Sequence, residues 1–445
     1  FQIEFINHAS LIIKTEFLSI VTDPWIIGSA FSTGWFLQNK TKKSSIEQIL
    51  NCDFVFISHS HPDHLNPNSL LWLKNKNWDP VFIVPKFKKK DFTKDLLFSI
   101  GFRKFIELAN KEKCELIKGS NFHIQMIQDL SDRNDSGLLI SYKNKKIVNL
   151  VDIPSPDIEG LNNIDIAFLP FANGASGYPI CWQEIMNIKE IIRFKTNDNL
   201  NALRVFHERV NKLGAKVAVP FAGYFTSSLP EDKFINKINK LNKPEDVFNF
   251  KKKINYEILN PLLGLTYSQK DNKFKNKFKF KSSKKVNNDF KIALRNIILK
   301  RYQNFTRKEM IDFLKIQDFK DQLVICINAK DINFEKSYFQ VYWDFYANKS
   351  ITKKKFDQIY MNHKYRKIII NVRKYSLGYT IRNSLPWEEF SIGFQARFKR
   401  YPNLYNFSFW DYFQNHYNFT NPLLGDYIDL WENDDKLQKL FDKYI

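Results

Sequence analysis

The chain has few cysteines, and the four that it has lie far apart. Cys52, Cys114, Cys181 and Cys326 form no Cys-x-x-Cys motif and no Cys-x-His pair within the 445 residues. This pattern excludes a disulfide framework and fits a reducing compartment, so a cytoplasmic location is expected. There is no apolar run long enough to span a bilayer and no recognisable signal peptide, so no membrane role is expected.

Acidic residues are also scarce, since 47 Asp and Glu stand against 68 Lys and Arg, for a formal net charge of +21. The lysine excess accompanies asparagine, isoleucine and phenylalanine along the whole chain, which indicates a general compositional bias. A positive balance nevertheless attracts anionic substrates. The densest stretch, 270–285, alternates lysine with phenylalanine and suits either a nucleic-acid contact or an exposed edge kept soluble by lysine. Nucleic-acid binding is therefore a disfavoured alternative.

Histidine is rare as well, yet three of the eight histidines lie within six positions. His59, His61 and His64, together with Asp63, follow the apolar run 54–57, which is typical of a buried strand. The cluster is therefore expected at a strand end or in the loop beyond it. Imidazole nitrogens and carboxylate oxygens are the usual protein ligands of zinc, iron and manganese. The hexapeptide predicts a metal site.

Short apolar strands separated by polar turns dominate the chain up to about residue 225. They outnumber the helices and succeed one another as in a sandwich, which predicts an α/β fold of the αββα kind, with two sheets flanked by helices. Helices are predicted over about 182–211 and 290–313, and a strand over 322–327. The predicted domains are a metal-binding catalytic domain at 1–240, a lysine-rich linker or extension at 241–290, and an appended α+β region at 291–445.

The spacing His-x-His-x-Asp-His resembles the signature of the metallo-β-lactamase superfamily. The resemblance implies that His59 and His61 bind one metal ion and that Asp63 and His64 belong to a second. It also implies that Asp23, at the end of an early strand, supports the metal-binding loop. Such support is physically sound, because a ligating imidazole needs its other N–H held by a carboxylate or carbonyl. An aspartate before a proline is otherwise a common turn former.

The same resemblance expects further ligands on later strands. Asp152 follows an apolar strand and matches a bridging position between two ions, although it also suits a plain turn. Asp135, just before a strand, ranks ahead of Asp129 and Asp132 as a third ligand. The surplus of carboxylates favours iron, with zinc or manganese as alternatives. His207 is expected to be a surface residue of a helix.

Segments 171–179, 220–225 and 387–397 are similar to the CMP-N-acetylneuraminate hydroxylase family, and the likeness covers nearly the whole chain. That family hydroxylates the N-acetyl methyl group of a CMP-linked sialic acid, using oxygen and electrons delivered through a Rieske iron–sulfur domain. The resemblance implies a monooxygenase-like oxidoreductase acting on an N-acyl group of a nucleotide-activated or anionic sugar. The alternative is a metallo-hydrolase, in which two ions generate hydroxide from water.

This chain departs from that pattern in its electron-entry domain. A Rieske centre needs paired Cys and His motifs, and none of the four cysteines lies in such a pair. The domain is then trimmed from this chain, carried on a separate protein or never present, and an oxygenase reaction would use a separate Rieske protein, a reductase or another electron donor. Without one, hydrolysis gains support.

The resemblance also implies residues that act on the substrate. His8, which ends the first strand, is expected to contact the substrate or donate a proton, with packing in a hairpin turn as the alternative. Asp63 is the second catalytic candidate. Independently of the resemblance, Ser176 in a glycine-rich loop is expected to contact a substrate phosphate, with a plain turn as the alternative, and Tyr178 and Tyr224 are expected to line a sugar or base pocket.

Overall fold

The computed structural model describes residues 2–131, 133–172, 177–183, 185–227, 230–251, 253–268, 273–276, 284–359, 365–415 and 421–445. Its first elements are β1 (Gln2–Asn7), β2 (Ser10–Lys14), β3 (Ser19–Thr22), β4 (Ser29–Ala30), β5 (Trp35–Leu37), α1 (Lys43–Leu50), β6 (Phe54–Phe56), α2 (Pro67–Lys74), β7 (Val81–Pro85), α3 (Thr93–Ile100), β8 (Phe105–Leu108), β9 (Lys113–Glu115), β10 (Phe122–Gln128), β11 (Ser136–Tyr142), β12 (Lys145–Asn149), β13 (Ile166–Pro170), α4 (Ile188–Leu213), β14 (Val217–Phe221), β15 (Phe225–Thr226), α5 (Lys233–Ile238), α6 (Pro244–Phe250) and β16 (Glu257–Ile258). The later elements are β17 (Leu265–Ser268), β18 (Lys273–Asn276), α7 (Asn288–Tyr302), α8 (Arg307–Lys315), β19 (Leu323–Lys330), β20 (Ser337–Asp344), β21 (Lys349–Ser350), α9 (Lys353–Gln358), β22 (Arg366–Arg373), α10 (Lys374–Arg382), α11 (Glu388–Ser391), β23 (Ala396–Tyr401), α12 (Phe407–Asn415), α13 (Gly425–Asn433) and α14 (Asp435–Tyr444).

Two large sheets occupy the N-terminal half of the described chain. The first has the strand order β1-β2-β3-β6-β7-β8, and the second has the order β16-β14-β13-β12-β11-β10-β9. Ile20 and Phe56 of the first sheet share a buried cluster with Ile140 and Phe168 of the second, so the sheets pack face to face. Helices α1 to α3 cover the outer face of the first sheet, and α4 covers the second. The predicted αββα sandwich is confirmed.

The strand ends bring the predicted site residues to one edge of the sandwich. Strands β3 and β6 are parallel neighbours, so Asp23 and the loop that begins at Ser58 leave the first sheet side by side. In the second sheet, β11 and β12 are antiparallel, so Asp135 before β11 lies at the same end as Asp152 after β12. Residues 23, 58–64, 135 and 152 thereby meet between the two sheets.

The C-terminal part is an α+β region, as predicted, built on a sheet of order β21-β20-β19-β22-β23. It shares its core with the sandwich, because one buried cluster contains both Val55 and Trp431. Arg373, at the end of β22, donates hydrogen bonds of 2.7 and 2.9 Å to the two carboxylate oxygens of Asp232, and both side chains are buried. The sandwich and the C-terminal region are therefore in direct contact through a shared core and a buried ion pair. The domain boundaries at 240 and 290 stay predictions.

The segment 241–290 contributes to the sandwich where the structure describes it. Strand β16 extends the second sheet beside β14, and Leu265 and Phe274 of the β17–β18 hairpin join the core between the sheets. The lysine–phenylalanine tract at 270–285 lies largely outside the described residues.

The predicted helix boundaries require two corrections. Helix α4 begins at Ile188 instead of 182, because Asn187 caps it in a reciprocal pair with Glu190. The predicted helix 290–313 is two helices, since Thr306 starts α8 with a second capping box. Within the described ranges, no helix combines the length and apolar character needed to cross a membrane.

Candidate metal centre

Asp23 holds the histidine-rich loop in place. Its Oδ1 accepts a hydrogen bond from the Ser58 backbone N–H at 2.8 Å, and its Oδ2 accepts bonds from the Ser58 hydroxyl at 2.7 Å and from His64 Nδ1 at 2.9 Å. Asp23 is fully buried and has a left-handed backbone with φ of 36°, which aspartate tolerates better than most residues. These bonds leave His64 Nε2 facing Asp63 Oδ2 at 3.5 Å and Asp152 Oδ2 at 3.6 Å.

The end of the loop is fixed by the start of α2. Asn66 caps this helix by accepting a hydrogen bond from the Ser69 backbone N–H, and Pro67 occupies the first helical turn, where its missing N–H costs nothing. The Asn66 side chain also donates to the Pro62 carbonyl at 2.7 Å. The hexapeptide is therefore held at both ends.

His59 and His61 direct one nitrogen each to the same place. His59 Nε2 and His61 Nδ1 lie 2.9 Å apart. The outer nitrogens are held elsewhere, His59 Nδ1 by the Ser58 hydroxyl at 2.9 Å and His61 Nε2 by Glu388 Oε2 at 3.0 Å. Asp135 completes this group, with ligand atoms within 4.8 Å of one another.

Two further groups adjoin the first. His59, His64 and Asp152 form one, and His8, Asp63 and His64 form the other. His8 Nε2 lies 3.2 Å from Asp63 Oδ2, while His8 Nδ1 accepts the backbone N–H of residue 224 at 3.3 Å. A neutral His8 therefore carries its proton on Nε2 and donates it to Asp63.

Three buried polar atoms of this cluster have no hydrogen-bond partner among the residues that the structure describes. They are Asp63 Oδ1, His64 Nε2 and Asp152 Oδ1. Buried polar atoms are nearly always satisfied, so unsatisfied acceptors grouped in one buried cluster are what a bound cation would satisfy. Mixed imidazole and carboxylate donors suit a divalent transition metal. The six residues predicted as ligands are thus all brought together, and their individual roles stay predictions.

Burial and neighbouring charges change the pKa values of the acids here. Burial, followed by the charge of Asp152, raises the pKa of Asp135 to about 7. Burial raises the pKa of Glu389 to about 8. For Asp152, the charges of His64 and His59 outweigh burial and lower the pKa. Carboxylates crowded in a buried pocket are stabilised by a bound cation.

A cavity of about 1250 Å³ opens onto these groups. The Arg400 guanidinium, which borders it, lies 4.6 Å above the ring of Trp182. Both the sandwich and the C-terminal region form its walls. Its basic lining residues are Lys89, Lys90, Arg133, Lys195, Arg209 and Arg400, and its aromatic lining residues include Tyr178, Trp182, Phe398, Tyr405, Phe407 and Trp410.

The remaining predicted residues have mixed outcomes. Tyr178 and His8 line the cavity. Tyr224 does not, because its side chain is buried and its hydroxyl donates to the residue 220 carbonyl, so it supports His8 through its backbone instead. Ser176 lies outside the described residues. His207 was expected on the surface, which is wrong, since α6 covers it and its Nε2 lies 3.2 Å from a carbonyl of that helix.

Glu388 is a site residue to which the sequence reasoning gave no role. It lies on α11 and reaches His61 across 327 residues of chain. The sequence signal that could have pointed to it is the acidic pair Glu388 and Glu389, which lies in the segment 387–397 that resembles the hydroxylase family. Nothing local in that block points to a histidine near the start of the chain.

The family comparison agrees with this fold. Residues 2–192 match the family model Lactamase_B_3, the Beta-lactamase superfamily domain. The N-terminal part of the chain is therefore similar to a beta-lactamase superfamily domain, and it carries a cluster of candidate metal ligands where its two sheets meet.

Similarity to particular proteins extends further along the chain. It is 27% identical over 456 residues to the cytidine monophosphate-N-acetylneuraminic acid hydroxylase of Macaca mulatta, covering 95% of this chain and 73% of that protein. The hydroxylase of Asterias rubens is 28% identical over 436 residues, with 93% and 65% covered. A Homo sapiens relative, named as an inactive hydroxylase of this kind, is 26% identical over 449 residues, with 95% and 86% covered.

Two solved structures also align. CmlA, a diiron beta-hydroxylase from Streptomyces venezuelae, has 17% identity and a TM-score of 0.37, with 50% of this chain and 44% of that chain covered. Igni18, a metallo hydrolase from Ignicoccus hospitalis, has 17% identity and a TM-score of 0.38, with 60% and 98% covered. Likenesses of this size do not bear on function. The relatives named as hydroxylases agree with the prediction of an enzyme, and among its alternatives with the oxidoreductase.

Proposed function

We propose that the chain is a metal-dependent oxygenase that hydroxylates an N-acyl group on a nucleotide-activated or otherwise anionic sugar. One observation carries the proposal. The similarity to the hydroxylases covers 95% of the chain, and so it includes both the loop with the candidate ligands and the C-terminal wall of the cavity. A similarity confined to residues 2–192 would support the metal centre alone.

The candidate ligands divide between two ions. His59, His61 and Asp135 would hold one, Asp63 and His64 would hold the second, and Asp152 would lie between them. Iron is the proposed metal because three of the six ligands are carboxylates. When bound, iron supplies the oxygen and one-electron chemistry that protein side chains lack. A separate Rieske protein or another electron donor would provide the electrons.

The basic lining of the cavity suits a phosphorylated and carboxylated substrate. Arg209 is held near the cluster by a hydrogen bond to the Pro154 carbonyl, and burial lowers its pKa to about 10. Arg400, stacked on Trp182, offers a flat cationic surface for a ring. Ligand cavities usually measure about 300–1,000 Å³, so this one is large enough for a nucleotide sugar.

His8 and Asp63 are the candidates for proton transfer. The His8 Nε2–H donates to Asp63 at 3.2 Å, and both residues line the cavity. The pair can hold a proton beside the reacting group, because imidazole and carboxylate exchange protons readily at hydrogen-bond distance.

A metallo-hydrolase is the second candidate function. One observation favours it, since buried Asp63 Oδ1 has no hydrogen-bond partner in the described part of the chain and is available to orient a water molecule. In that reaction the ions would lower the pKa of the water and generate hydroxide.

A paired assay separates the two functions. The protein is purified without oxygen, its metal content is measured, and it is incubated with a CMP-linked N-acetylated sialic acid and a chemical reductant, in air and under nitrogen. Hydroxylation predicts a product with one added oxygen that forms in air only. Cleavage of the nucleotide sugar at equal rates in both atmospheres would overturn the oxygenase proposal in favour of hydrolysis. His61→Ala is the control for metal dependence.

A further inference from the structure

Glu388 approaches the candidate metal centre from its outer side. Its Oε2 lies 3.0 Å from His61 Nε2, whereas His61 Nδ1 faces His59 Nε2 at 2.9 Å. The two nitrogens of an imidazole point away from each other on opposite sides of the ring. A carboxylate on Nε2 therefore acts on His61 and not on an ion held between His61 and His59.

We propose that Glu388 is a positioning residue for the metal centre, which makes the C-terminal region part of that centre. Its carboxylate accepts the His61 Nε2–H and keeps the Nδ1 lone pair turned toward the ion. Such a partner fixes the tautomer and the ring orientation of a metal ligand and raises its basicity. This inference rests on the metal centre of the proposed function.

His61 has the greatest need of such a partner. His64 is fully buried and tied to Asp23, and the side chain of His59 is 2% exposed and tied to Ser58. The side chain of His61 is 25% exposed, so packing confines it least of the three. A hydrogen bond from outside the loop supplies the missing constraint.

Backbone contacts fix where Glu388 lies. A Cβ on Gly34 would come within 2.1 Å of the Gly393 carbonyl oxygen, and one on Gly177 within 2.2 Å of the Ser391 carbonyl oxygen. A Cβ on Gly393 would come within 2.3 Å of the Phe31 carbonyl oxygen. The backbone after Glu388 thus lies directly on the backbone of the sandwich, without side chains between them. The end of α11 and the residues after it are therefore held against the segments around residues 31–34 and 177.

The test compares metal affinity in Glu388→Ala, Glu388→Gln and the wild type. Dissociation constants for Fe(II) and Co(II) are measured by competition with a chelator, and the visible absorption of the Co(II) form reports ligand geometry. We expect affinity to fall about 10–100-fold in Glu388→Ala, with a changed Co(II) spectrum, and by less in Glu388→Gln, which keeps an uncharged acceptor. Glu432→Gln, on an exposed position of α13, is the matched control.

The outcomes distinguish a failure of the proposed role of Glu388 from a failure of the proposed metal centre. A wild-type protein that binds no metal would overturn the proposed metal centre and this role together. Metal affinity and Co(II) spectra unchanged in both Glu388 variants, with His61→Ala still losing metal, would overturn the role of Glu388 alone. Glu388→Gln preserves volume, so its affinity decides the question even where the alanine variant fails to fold.

Discussion

His64 Nδ1 and Asp23 Oδ2 lie 2.9 Å apart, and both side chains are fully buried. Because His64 donates its Nδ1–H to Asp23, the lone pair on His64 Nε2 points toward Asp63 and Asp152 and is available to a metal ion. Asp23 also accepts the backbone N–H and the hydroxyl of Ser58, so one carboxylate fixes both the start of the loop and its last histidine. Its substitution should disturb the whole loop.

Replacing Asp23 by asparagine should weaken metal binding about 10–100-fold, because an amide offers a donor where the carboxylate accepts. Competition with a chelator measures this loss. Asp53→Asn is the matched control. Asp53 accepts hydrogen bonds from Ser19, which begins β3, whereas Asp23 follows the other end of that strand. Equal metal affinity in both variants would contradict the supporting role of Asp23.

Replacing His61 by alanine should remove at least one equivalent of metal, because this side chain supplies one of two nitrogens that converge 2.9 Å apart. Elemental analysis of anaerobically purified protein checks this. His123→Ala, on an exposed position of β10, should leave the metal content unchanged. Full metal content in His61→Ala would remove this residue from the ligand set.

Replacing Asp152 by asparagine should lower the metal content from about two equivalents to about one. A bridging carboxylate neutralises two neighbouring cations, and a neutral amide does not. Metal titration followed by calorimetry would count the sites in both proteins. Two sites of unchanged affinity in the variant would show that Asp152 is a turn residue without a bridging role.

Replacing Arg209 by alanine should raise the KM for an anionic substrate about 10- to 150-fold, since a hydrogen bond to a charged group contributes roughly 1.5–3 kcal/mol. The value of kcat should change less. Arg204→Ala is the matched control, because Arg204 lies on the exposed face of the same helix and pairs with Glu208. An equal effect of both substitutions would point to general electrostatics of α4.

Replacing Asp232 by alanine should lower the free energy of unfolding by about 3–5 kcal/mol, because Arg373 would be left buried without its bidentate partner. Urea denaturation gives this value. Asp357→Ala breaks an exposed pair with Lys353 and should cost less than about 1 kcal/mol. Similar losses in both variants would mean that the buried pair does not join the two regions.

The parts of the site that the sequence predicts are those encoded by neighbouring residues. The hexapeptide carries its own spacing, and Asp23 is identifiable because it ends a strand beside the strand that feeds the loop. Asp135, just before a strand, and Asp152, just after one, were expected from the resemblance to the superfamily, and the resemblance likewise implied the role of Asp23. The sandwich follows from the succession of strands, since each apolar run is short and bounded by turn residues.

The errors arise where distant segments decide the environment. His207 has a helical pattern around it, but the residues of α6 that bury it come some forty positions later. Tyr224 is aromatic and near a glycine, which suits a pocket, yet its hydroxyl is satisfied within its own turn. The start of α4 was a different kind of error, because the capping pair Asn187 and Glu190 was present in the sequence.

The contact between His61 and Glu388 also has a consequence for biosynthesis. At about 5–20 residues per second, the 327 residues between them take on the order of tens of seconds to synthesise. Throughout that interval the nascent chain displays three histidines and an aspartate without the carboxylate that completes their surroundings. An ion captured during that interval would meet His61 without its outer hydrogen-bond partner, which only the finished chain supplies.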